Sequence, residues 1–340
     1  MGVLLVIKNE FIRSFRYKKK LVLTLIIPIL SVILAMGVNS IMKPTINIGI
    51  INNKSIEIVE KIITDSPNIK GLKVKNASQE SINTDLISAK YMAIIKFEDN
   101  NLEVISLDNN IKNQVQEAVD NYLNTGSLAL FADMLTQMEN ESLSAGQRGV
   151  GFVLLTLIVT STISTCNILK DKAEGVVKRF KLSKFKPRSY IFGVYLFNIL
   201  LTVSQILIST VIMKLFNISI GISSIQFLFI GILIAIVSST IASIIVSLFN
   251  TELQASLLAS AFAMIISLFG GAFIQIEKMP NLIQYLSNLS ITKWIGELTL
   301  GLEKGILSFN NIFPLIISCG ILSIILLVSI KIGEKSYIND

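Results

Sequence analysis

The sequence predicts a polytopic α-helical membrane protein: six transmembrane helices, with a small α/β extracellular domain inserted between the first and second spans. Three observations predict it. Of 340 residues, 52% are hydrophobic and only 16% charged, with a mean hydropathy of +0.67, whereas soluble domains carry about a quarter charged residues. Six stretches (21–42, 149–169, 190–213, 225–248, 254–275 and 312–332) are apolar over the roughly 20 residues that a helix needs to cross the hydrocarbon core. The net charge of +7 is concentrated beside these stretches rather than spread through the chain. Basic charge placed in that way reads as membrane topology and not as a nucleic-acid footprint.

The elements follow in order. Residues 1–20 read as a cytoplasmic amphipathic helix. At 100° per residue, Leu4, Ile7, Phe11 and Phe15 share one face, and Asn9, Arg13, Arg16 and Lys20 the opposite one. Such a helix lies in the inner membrane interface with its basic face toward lipid phosphates or a protein. Residues 21–42 are too long an apolar run for a signal-peptide core and read as a retained anchor.

Residues 43–148 are net acidic and patterned as a small α/β module. Strands are predicted at "INIGIIN" (46–52), "LKVKN" (72–76), "YMAIIKF" (91–97) and "LEVISLD" (102–108), and helices over 55–65, 78–89 and 110–144. Alternation marks the strands, and a three-to-four spacing marks the helices.

Residues 149–332 hold five further spans. Between the first two of these, 170–188 carries eight lysines and arginines, which with the basic N-terminus places both segments and the 333–340 tail in the cytoplasm. Wrapped as one helix, Leu169, Ala173, Val176, Val177 and Phe180 line one face, and Asp171, Glu174, Lys178 and Lys181 the other; Gly175 permits a bend and Pro187 ends the run. The 276–308 segment is too long for a turn. Glu252 is expected at the inner turn between the fourth and fifth of the six spans, facing water.

Composition also excludes chemistries. The chain has no histidine, the commonest metal ligand and general base, so no metal site or catalytic residue is assigned. Cys166 and Cys319 lie inside apolar runs and read as small buried side chains. There is no G-x-x-x-x-G-K-[ST] loop for nucleotide. Carboxylates are nearly absent from the spans, against an ion-coupled carrier.

The stretch "AEGVVKRFKLSKFKPRSYIFG" resembles the E-G-T-x-x-R-L-x-x-S-P motif, followed by a glycine, of type-2 ABC exporter permeases; Glu174, Gly175, Arg179, Phe180 (for leucine), Ser183 and Gly193 carry the match. Val176 stands in place of the threonine and Lys184 in place of the proline. "FGGAFIQIEKMP" is similar to the family's G-x-F-x-P-x-E-x-M-P stretch through Gly271, Phe273, Glu277, Met279 and Pro280. The outer module is similar to that of the large-loop members.

The resemblance implies a permease subunit without ATPase activity and without a cofactor of its own. ATP-Mg would be bound by a separate ABC ATPase subunit, and a second permease copy or paralogue would complete a homodimer or heterodimer. Glu174, Gly175, Val177, Lys178, Arg179, Phe180 and Lys181, with the N-terminal helix residues Phe11, Arg13, Phe15 and Arg16, would couple to the ATPase. Gly271, Glu277, Met279, Pro280 and Trp294 would belong to an outer re-entrant segment (276–308). The expected role is export of a hydrophobic or amphipathic compound (an antimicrobial peptide, drug or lipid-like molecule) across the cell membrane, with membrane lipids and no nucleic acid as further partners. Resistance to such compounds would follow. The competing reading is a non-transporting membrane scaffold with an extracellular module, serving phage entry or a secretion machine.

Overall fold

The computed structural model describes residues 2–41, 45–52, 69, 71–88, 90–98, 101–140, 143–183, 185–218, 220–306 and 309–339. The chain divides into two compact units, one of residues 41–142 and one formed by residues 1–40 together with 143–340.

The first unit is built on a four-stranded sheet of β1 (Ile46–Asn52), β2 (Leu72–Asn76), β3 (Ala93–Glu98) and β4 (Asn101–Ile105), in the order β2-β1-β3-β4. β1 runs parallel to both β2 and β3, with Ile48 opposite Val74 on one side and Ala93 on the other; β3 and β4 form an antiparallel hairpin. Because side chains alternate along a strand, Ile46, Ile48 and Ile50 fall on one face. There they pack with Val115, Ala118, Val119 and Tyr122 of α4 (Asn109–Thr125) and Phe131, Met134 and Leu135 of α5 (Ala129–Asn140). Ile51 and Ile94 fall on the other face, against Leu86 of the short helix α3 (Ile82–Ile87) and Tyr91. The helix expected over 110–144 is therefore two. Asp108 starts α4 by accepting from the Asn110 amide at 2.8 Å, and Gly126 ends it in the left-handed conformation (φ 66°), which glycine adopts at no steric cost. The helix expected over 55–65 lies outside the described residues.

The second unit is helical. After α1 (Gly2–Arg16) and α2 (Lys18–Ile41) come α6 (Ala145–Thr165), α7 (Asn167–Ala173), α8 (Val176–Leu182), α9 (Pro187–Leu215), α10 (Ser224–Leu248) and α11 (Glu252–Phe269), then α12 (Asn281–Ser287), α13 (Ile291–Glu303) and α14 (Phe309–Asn339). Helix starts follow the local chemistry. Ser144 with Gln147, and Ser223 with Gln226, form capping boxes, and Thr251 accepts from the Gln254 amide, so α6, α10 and α11 each start with a first-turn amide satisfied by a side chain.

Five helices are long and apolar enough to span a membrane: α2, α6 continuing into α7, α9, α10 and α11. The sixth expected span falls in α14, whose apolar part among the described residues is Leu315–Val328. α6 lies at the centre, against α10, α11 and α13. α11 meets α6 along Ala255, Ala259, Ala263 and Ser267, all buried and four residues apart, a ridge of small side chains that lets two helices approach closely. Much of the apolar surface of α11 and of α2 is left uncovered, whereas α10 is mostly buried.

Candidate functional site

The basic segment after α6 does not form one continuous helix. Gly175 sits in the left-handed region (φ 69°) between α7 and α8, which breaks the helical phase there. Asp171, expected on the charged face, is nevertheless buried, because α7 is covered on that side by Arg13 of α1 and Tyr190 of α9. Glu174 and Lys178 end up on opposite sides of the break and cannot form the four-residue pair of a single helix.

α8 presents two distinct sides. Val177 is buried and Phe180 half-buried, the Phe180 ring stacking on Phe185 at 5.8 Å and meeting Tyr190 edge-on at 5.2 Å. Lys178 and Arg179 are exposed. The Lys181 side chain lies outside the described residues. The apolar side of α8 is thus seated on the bundle, and its basic side faces away from it.

α1 docks beside this segment, along α9. Phe11 meets Phe197 edge-on at 5.1 Å, and Gly2 lies against the Phe185 ring. Phe15 and Arg16 are exposed, as is Leu4, so the apolar face expected from the helical wheel divides between the bundle and the surroundings. Arg13 departs from the expected outward basic face. Its Nη1 donates to both Asp171 carboxylate oxygens at 2.9 Å and to Glu10 Oε1 at 3.4 Å, while the Tyr190 hydroxyl donates to Asp171 Oδ2 at 2.6 Å.

The reason is electrostatic. Asp171 and Glu10 are both buried, and buried carboxylates require a cation or donors beside them. Burial pulls the Arg13 pKa down, but Asp171 and Glu10 outweigh it and hold it above its ordinary value. Burial pushes the Glu10 carboxyl up, against the pull of Arg13. α1, α7 and α9 are in this way tied at one point through three side chains on three helices.

A second tie joins this end of the bundle to α11. Lys170 Nζ meets Glu252 Oε2 at 2.7 Å, so Glu252 is paired rather than free in water. Both partners are substantially exposed, and such a pair contributes at most about 1 kcal/mol. Its use is positional, because it fixes α7 against the start of α11.

The remaining expected site residues lie at the other end of α11. Gly271 forms the turn after that helix, Met279 is buried and Glu277 exposed, and Pro280 opens α12. The Gln284 side-chain amide donates to the Met279 carbonyl at 2.8 Å, and the Trp294 indole to the Asn288 carbonyl at 3.0 Å under the Lys293 ammonium. Among the described residues, 276–306 thereby hold two helices and one 3-10 turn, internally hydrogen-bonded.

Asp171, Glu10, Tyr190 and Glu252 were not singled out as site residues by the sequence. The available signal was the presence of acids inside two strongly basic segments, Glu10 in the first and Asp171 with Glu174 in the second, and a Glu10–Arg13 spacing of three.

The family model described as "ABC-2 type transporter" matches residues 109–303, from the start of α4 to the end of α13. No curated protein matches the chain.

Proposed function

The chain belongs to the ABC-2 type transporter family, and from that premise we propose that it is the permease of an ATP-driven exporter whose α8, backed by α1 and α7, receives the force of the ATPase. A membrane subunit of this family works with an ABC ATPase on a separate chain. The observation that carries the coupling role is the two-sided seating of α8: Lys178 and Arg179 outward, Val177 and Phe180 inward. A push on the exposed side passes into α9 through Phe180–Tyr190 and into α1 through Tyr190–Asp171–Arg13. Coupling of this kind requires two arrangements of the bundle that bind the ATPase differently.

Both basic segments, and hence both chain ends, face the cytoplasm in this reading, and the sheet-containing unit faces outward. α14 supplies the sixth span. A second permease subunit covers part of the exposed apolar face of α2 or α11, and lipid covers the rest. For the cargo we favour a hydrophobic or amphipathic compound. The threonines of α6 support this, since Thr156, Thr160, Thr162 and Thr165 all donate to carbonyls of their own helix and offer few free polar groups to a hydrophilic solute.

The test is charge reversal of the exposed pair. In proteoliposomes containing the permease and its ATPase subunit, Lys178→Glu with Arg179→Glu is expected to lower ATP-dependent transport at least tenfold, about 1.4 kcal/mol in coupling, with membrane insertion unchanged. Wild-type transport by that variant would remove α8 from the coupling path.

A further inference from the structure

A cavity of about 280 Å³ lies at the junction between α1 and α2, lined also by residues of α6, α7 and α9. Arg13, Lys20 and Lys170 reach it from three helices, and Glu174 is the one carboxylate in its lining. Two of these cations are already engaged: Arg13 by Asp171 and Lys170 by Glu252. Lys20 is half-buried, feels the like charges of Lys170 and Arg13 along with the more favourable Glu252, and forms no ion pair among the described residues. Ser14, Tyr17 and Asn167 add polar groups to the same wall. Leu21, Thr24 and Leu201 complete its lining, and the outside of α2 at Val22 and Leu23 is exposed apolar surface.

We infer that this cavity binds the phosphate of an anionic phospholipid headgroup, with Lys20 as its principal cation and the acyl chains lying along α2. The lining combines the groups such a ligand needs. Cationic and hydroxyl side chains make up most of it, and Leu21 and Leu201 add apolar surface, with Val22 and Leu23 exposed on the same helix as Leu21. Basic pockets between helices at the cytoplasmic boundary take anionic headgroups on this principle, and the size suits a phosphate ester with its first substituent. The inference rests on the membrane reading and on the cytoplasmic placement of α1. It does not depend on ATP coupling, and a lipid-binding readout taken without the ATPase keeps the two separable.

The experiment is lipid retention by the purified full chain, followed by native mass spectrometry from detergent micelles doped with phosphatidylglycerol, with phosphatidylcholine, or with inorganic phosphate. One phosphatidylglycerol is expected to remain bound, with phosphatidylcholine retained far less. Lys20→Gln is expected to weaken retention roughly fivefold, Lys20→Arg to restore it, and Lys214→Gln, at the far end of α9, to leave it unchanged. Retention unaffected by Lys20→Gln would overturn the site. So would equal losses in the Lys20 and Lys214 variants, which would show a general charge effect. Binding of inorganic phosphate without retention of phosphatidylglycerol would overturn the lipid assignment.

Discussion

Replacing Gly193 with valine is expected to unseat α1 and abolish coupled transport while the rest of the bundle still inserts. Gly193 is the glycine that follows the basic motif, and it lies on α9 where α1 crosses. A Cβ there would meet Val6 Cβ at 2.7 Å, Val6 Cγ1 at 2.8 Å and the Val3 carbonyl oxygen at 3.2 Å. One neighbour is backbone and another a short β-branched side chain, so relief requires α1 itself to move. Alanine at this position gains about 1 kcal/mol of helix propensity over glycine but costs about 1–3 kcal/mol in overpacking. The two nearly offset at the low end of that range, and Gly193→Ala is expected to be partly active. Valine gains less propensity and adds two more methyl groups, so the clash wins. Two measurements check this: ATP-dependent transport in proteoliposomes, and protease accessibility of α1. Full transport by Gly193→Val would show that α1 need not be seated.

Asp171→Ala is expected to be the most destabilising single polar change in the membrane unit. It removes the carboxylate that accepts from Arg13 and Tyr190 together, leaving a half-buried guanidinium with only Glu10 at 3.4 Å. Breaking a fully buried pair costs about 3–5 kcal/mol. The Arg13 side chain keeps 27% of its exposure, and water there recovers part of that cost, so about 2–3 kcal/mol is expected. Tyr190→Phe deletes one hydrogen bond and leaves the ion pair, for about 1 kcal/mol. Thermal unfolding in detergent is expected to rank wild type above Tyr190→Phe and that above Asp171→Ala. Equal stability of wild type and Asp171→Ala would mean that the three-helix tie contributes nothing.

How far the sequence reveals these features differs from element to element. The strands at 46–52 and 72–76 and the hairpin strands were readable because alternation over five to seven residues is a local signal, and the apolar runs of the spans are stronger still. The break at Gly126 carried a visible glycine, but helical spacing resumes beyond it and masks the interruption. Around Gly175 the same difficulty had a larger effect. A helical wheel carried through a left-handed residue loses its phase, which wrongly put Glu174 and Lys178 on one helical face. Arg13 and Asp171 were misplaced for another reason: they are 158 residues apart, and neither a wheel nor a charge count reports a long-range pair. Glu252 shows the same limit, since the lysine that binds it belongs to a different helix. Local pattern located the segments, then, whereas their mutual electrostatic ties needed the packed structure.

The account depends most directly on which side of the membrane α8 occupies. A cysteine introduced at Lys178 can be read with a membrane-impermeant maleimide, because native Cys166 is buried and Cys319 can be replaced by alanine. In intact cells the Lys178→Cys variant is expected to resist labelling, and in inside-out vesicles to label fully unless the ATPase subunit is bound over it. Labelling from the outside of intact cells would contradict the account.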